Sequence, residues 1–227
     1  CDIFKRIDKE ICFMKRSELK TVGLSTALVV LNVLLMAGLA LTPARQFTNL
    51  AFSIPIVGVI IFGALITGGV YLAKNGIRNN SDSKAYGGTA ILQFAYAVFG
   101  AGIIGFLPQS AYSVVLGATA VVTGVIALLS GLLVYGTDHD FSNWGRYSTY
   151  MFIGVFLFAL VGSLTPTVLA VAFLLALGGF ITYLVYEIWE MKQEPRKVYL
   201  NAIGIYVAFM GVFVQILQIV VEMYLRR

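Results

Sequence analysis

Charge is what this chain has least of. Of its 227 residues only 12% are charged and 59% are hydrophobic, whereas soluble domains carry about 25% charged residues. Histidine occurs once, as His139, and cysteine twice, as Cys1 and Cys12. Metal motifs such as H-E-x-x-H and Gly-rich phosphate loops are absent, so no metal or other cofactor is expected. The predicted spans described below contain no aspartate for an aspartyl protease dyad and no lysine for a retinal Schiff base. His139, in the run Thr137 to Asp140, reads as a solvated loop residue rather than a base or ligand. The chain is therefore not expected to be an enzyme. The cysteines precede the first span, and if that segment is cytoplasmic a disulfide between them is not expected. Residues 1–20 are too charged for a cleavable signal peptide.

What is present is a series of long apolar runs, reflected in a mean hydropathy of +0.88. A hydrocarbon core about 30 Å thick takes about 20 apolar residues to cross as a helix. Seven runs meet that length, at 21–42, 50–73, 86–107, 111–135, 147–165, 167–190 and 202–224. Breaks fall at Pro43-Ala44-Arg45, in the polar run from Lys74 to Lys84, and between Asp138 and Arg146. Two tight turns contain Pro108 and Pro166, because proline ends helices and restricts the residue before it. The expected fold is thus an all-α membrane protein, a seven-transmembrane-helix bundle over 21–227, preceded by a short segment at 1–20. Its partner is the lipid bilayer, and its location is a membrane crossed many times (the cell membrane, in a prokaryote).

Orientation follows from Lys and Arg in the connections. Alternate connections carry 13 of them on the N-terminal side and 3 on the other, which predicts a cytoplasmic N-terminus. The same distribution accounts for the net charge of +5 without a nucleic-acid partner.

Small residues let helices approach closely in lipid. Span four carries Gly117, Ala120, Gly124, Ala127 and Gly131 at alternating spacings of 3 and 4, which predicts a packing seam and a central place for that span. Span three has a similar face in Ala97, Ala101 and Gly105. Asn32, Thr67, Gln93, Tyr96, Thr182, Tyr206 and Gln215 lie within spans and are expected to face the interior, where polar groups find partners. The acid that stands out is Glu187, beside Tyr186 near the end of span six. It reads either as an interior group on an ion or proton path or as an interfacial side chain reaching the headgroups, as Glu190 and Glu222 do.

Three strings, in order, resemble the Bax inhibitor-1 family (transmembrane Bax inhibitor motif proteins). Asp140-Phe141-Ser142-Asn143-Trp144-Gly145-Arg146 is similar to its DFS-x-x-G segment. Tyr186-Glu187 falls where the family has Tyr-Asp, and the stretch from Ala202 to Ile219 resembles its final helix, L-Y-L-D-x-x-N-L-F-x-x-L-L. The likeness is strongest over 136–224. It implies a central helix surrounded by the others and a pH-sensitive leak for calcium or another cation. In eukaryotes it is also associated with suppression of cell death. Two carboxylates on the last two helices share a proton in that scheme and titrate as a unit.

Here Glu187 keeps the first carboxylate, but the second position is Ala208 and the family asparagine is Gly211. The predicted span two offers no charged residue to latch onto the site. Glu187, Tyr186, Tyr206 and the altered position Ala208 are the candidate pH-sensing or ion-pathway residues. Asp140, Phe141, Ser142 and Gly145 form the family loop motif. The alternative expectation is a membrane regulatory or interaction protein that transports nothing, its protein partner unidentified.

Overall fold

A computed structural model describes residues 15–42, 55–162 and 166–226. Cys1, Cys12 and the break at Pro43-Ala44-Arg45 lie outside the described residues. Among the described residues seven helices are long and apolar enough to cross a membrane: α1 (Arg16–Ala40), α2 (Pro55–Arg78), α3 (Asp82–Ile104), α4 (Tyr112–Gly136), α5 (Trp144–Gly162), α6 (Pro166–Gln193) and α7 (Val198–Leu225). A 3-10 turn, Gln109–Ala111, follows Pro108 and leads into α4. The helices satisfy their own backbone groups, as spanning segments must where no water is available. The chain is a multi-pass membrane protein.

Span count matches expectation, but the helix ends are displaced. α1 begins at Arg16 rather than 21, α2 runs on to Arg78 rather than stopping at 73, and α6 reaches Gln193 rather than 190. An apolar window marks the hydrocarbon layer, whereas a helix continues into the headgroup region wherever its residues favour helix. The helices therefore do contain charged residues, among them Lys20, Lys74, Asp82, Lys84 and Lys192. The extension of α2 matters most, because it carries Lys74 inside a helix.

α2 and α3 form a hairpin around Asn80, whose φ of 51° places it in the left-handed region that asparagine tolerates better than most residues. Their backbones touch through glycine. A Cβ on Gly76 would lie 2.3 Å from the Ala85 nitrogen, and one on Gly88 would lie 2.3 Å from the Ala73 nitrogen. α5 and α6 form a second hairpin.

The centre of the bundle is α7, not span four as the seam predicts. α7 is the most buried of the seven helices and packs against α1, α2, α3, α4 and α6. The α4 seam faces outward: a Cβ added at Gly117, Gly124 or Gly131 would meet nothing within 4 Å. The face that α4 buries is instead Tyr112, Val115, Thr119, Thr123, Ser130 and Val134. Small residues permit close approach without compelling it. Among the described residues the partners of α4 lie on its hydroxyl-bearing side, where Thr119 and Ser130 donate to carbonyls one turn back on their own helix. Span three meets its expectation, with Ala97 and Ala101 buried.

Candidate functional site

Two groups of interior polar residues lie on opposite sides of α7. On one side Asn32 of α1 directs its amide nitrogen to the Gln93 carbonyl at 2.9 Å, the Gln93 side-chain oxygen at 2.7 Å and the Tyr206 hydroxyl at 2.9 Å. Gln93 donates to the Leu28 carbonyl and Tyr96 to the Val207 carbonyl. All four of these polar side chains are buried, and they join α1, α3 and α7 as buried polar groups in lipid require. Thr67 departs from expectation by being exposed, and Gln215 keeps a carbonyl oxygen without a partner among the described residues.

The other group is built on Glu187. Its side chain is 1% exposed and lies 2.8 Å from Lys74 Nζ, which excludes the interfacial reading. The Tyr183 hydroxyl, one turn earlier on α6, faces the same carboxylate. The carboxylate fits against α7 because Gly204 has no side chain: a Cβ there would lie 1.7 Å from Oε2. Gly204, Ala208 and Gly211 recur at spacings of 4 and 3, so they share one face of α7. Phe180 fills the far end of that face, its ring 2.0 Å from where a Gly211 Cβ would sit. Residue 206 is about 200° around the helix from residue 204, and for this reason Tyr206 joins the Asn32 network and not Glu187.

Ala208 is fully buried among Leu184, Val185, Ile188, Val134 and Phe141. An apolar cluster thus occupies the second carboxylate position, and the charge opposing Glu187 comes from α2. Where the resemblance implies two like charges sharing a proton, the structure places an ion pair of opposite charges. The expectation that span two holds nothing to latch the site is overturned by Lys74, which the apolar window leaves just outside.

The loop motif docks α5 onto this end of α6. Asp140 accepts from the Ser142 backbone N–H at 2.8 Å and from its hydroxyl at 3.0 Å. Phe141 is buried in the cluster that contains Ala208, edge-on to Trp144 at 5.0 Å. Gly145 lies under the Tyr186 ring, which would be 3.2 Å from an added Cβ. Lys192, farther along α6, donates to the Val134 carbonyl and ties the end of α4 to the same region.

Lys74 and Tyr183 also line a cleft of about 1480 Å³ bounded by α2, α5, α6 and α7. The cleft is walled mainly by apolar side chains, and among the described residues its charged lining side chains, Lys74, Arg78 and Arg146, are all basic. Among the described residues no three His, Cys, Asp or Glu side chains gather, and calcium takes six to eight oxygens.

A family model described as "Inhibitor of apoptosis-promoting Bax1" matches residues 19–224. The chain belongs to the Bax inhibitor-1 family. The match takes in spans one to four as well as the strings from 136 onward that resemble the family most closely. Comparisons with curated proteins and with solved structures find no match. The structure brings Glu187, Tyr186 and the loop motif together at one end of α6, and sets beside Glu187 the residues Lys74, Tyr183 and Gly204, with Phe180 farther along the same face, none of which sequence reasoning singled out. The Gly204-Ala208-Gly211 spacing was the available signal for Gly204.

Proposed function

We propose that this Bax inhibitor-1 family member is a cation leak whose resting state is latched by the Lys74–Glu187 pair. The pair itself carries the reading: it bridges α2 and α6 beside the cleft, with its acid pressed against the central helix. α2 touches α5 only sparsely, so the α2–α5 seam along the cleft is where the bundle can part when the pair separates.

While paired, Glu187 is neutralised and the cleft presents only basic charge, which repels cations. Separation exposes the one acid. Protonation of Glu187 parts the pair but also removes the carboxylate that carries the cation, so the leak falls as pH falls. With the basic end cytoplasmic, as the loop charges indicate, the sensed pH is that of the cytoplasm. Calcium passing this way would be coordinated in transit by water and Glu187 and not by a fixed site.

Purified protein in liposomes loaded with a calcium indicator tests this. Lys74→Met raises the flux over the parent, and Glu187→Gln added to it brings the flux back down. Flux from Lys74→Met equal to that of empty vesicles would reject the leak. The second reading, a regulatory protein without transport, is favoured by the apolar packing around Ala208 and the basic cleft, and that outcome would leave it standing.

A further inference from the structure

The cleft has properties that the latch does not use. Gly63 and Thr67 on its α2 wall are exposed, and it contacts α5 through Phe152 and Phe156. Between Ile60 and Arg78 it follows α2 for 19 residues, about 27 Å of helix, close to the hydrocarbon thickness of about 30 Å. An apolar recess of this depth is poorly hydrated, and in a bilayer the apolar material beside it is acyl chain.

One end of the recess is charged. Lys74 is committed to Glu187, but neither Arg78 nor Arg146 has an acidic partner among the described residues. The nearby acid of the loop motif, Asp140, is engaged by Ser142. Ser142 and Gly145, at the start of α5, line the same rim, so the positive end of that helix points to where the two arginines lie. The planar guanidinium of arginine can engage two phosphate oxygens at once, and two arginines favour a net negative headgroup over a zwitterionic one.

We propose that the cleft is a binding site for one anionic phospholipid, taken from the leaflet at the Arg78–Arg146 end. The phosphate and its net negative headgroup sit between Arg78, Arg146 and the first turn of α5, and an acyl chain lies along α2 against Phe152 and Phe156. The site is independent of whether the protein conducts ions.

Native mass spectrometry of the full chain, loaded with equal amounts of phosphatidylglycerol and phosphatidylcholine of matched acyl chains, reads this directly. One phosphatidylglycerol is retained in preference. The Arg78→Gln, Arg146→Gln double variant lowers that preference by about tenfold or more, whereas Lys20→Gln with Arg196→Gln, charges at the same end outside the cleft, leaves it intact. Gly63→Phe, at a position where an added Cβ meets nothing within 4 Å, folds normally but takes up cleft volume and lowers retention of both lipids. Circular dichroism and elution profiles establish that each variant is folded. Equal retention of the two lipids, an effect reproduced by the control pair, displacement by inorganic phosphate, or full retention by Gly63→Phe would each overturn the assignment.

Discussion

The Lys74–Glu187 pair is unequal, and the inequality sets which substitution is worse. Glu187 is 1% exposed, whereas the Lys74 side chain keeps 21% of its surface. Replacing Lys74 with methionine leaves a carboxylate enclosed by α6, Gly204 and Tyr183 with no opposing charge. Breaking a buried pair by removing one partner costs about 3–5 kcal/mol in soluble proteins. The lower end applies here, because in the membrane-unfolded chain Glu187 is also poorly solvated and finds other partners. Replacing Glu187 with glutamine preserves shape and leaves a lysine that can turn its exposed side toward water, at a cost of about 1–2 kcal/mol, in the range of a lost charged hydrogen bond. The double variant should then be more stable than Lys74→Met alone, with a coupling of at least about 1 kcal/mol. Thermal unfolding in detergent, followed by tryptophan fluorescence, measures all four corners of the cycle. A loss of about 3 kcal/mol lowers the midpoint by about 6–12 °C for a chain of this size. A Lys74→Met midpoint above that of Glu187→Gln, or effects that simply add, would show that the pair is not the enclosed latch described above.

Gly204→Ala should destabilise by about 1–3 kcal/mol through overpacking, since its methyl would enter the space of the Glu187 carboxylate; Glu187→Ala in the same chain should relieve much of that loss, measured by the same melt. Gly211→Asn, which restores the residue type the family has there, should be poorly tolerated because Phe180 fills the site, and Phe180→Ala should rescue its yield and melting point. Gly124→Ala and Gly131→Ala on the outward seam of α4 should leave stability unchanged or raise it by up to about 1 kcal/mol; a loss of 2 kcal/mol or more would mean that the seam packs after all. Asn32→Leu should cost more than any of these seam changes, because it strands the Tyr206 hydroxyl and the Gln93 side chain in the core.

Some of this protein could be read directly from its residues. Seven spans were legible because lipid permits no other arrangement of such apolar runs, and the Bax inhibitor-1 strings located the loop motif and Glu187 because they are contiguous. Asn32, Gln93, Tyr96 and Tyr206 could be assigned to the interior because a polar group in hydrocarbon needs a partner, whereas the same rule misplaced Thr67, which is exposed, and it did not say who pairs with whom.

The identity of each partner was decided by the fold. Lys74 falls one residue beyond the apolar stretch and so reads as a loop charge. It becomes the counter-ion of Glu187 only because α2 continues past the hydrocarbon boundary and packs beside α6, 113 positions away along the chain. Span four and span seven both carry small residues at helical spacing, and nothing local distinguishes the seam that is used from the one that is not. α7 took the centre because Gly204 and Gly211 receive Glu187 and Phe180 from α6 while Tyr206 faces the network on the other side. Hydropathy is a property of each segment and survives in the sequence. Choice of neighbour depends on two surfaces meeting, and that information exists only once the helices have assembled.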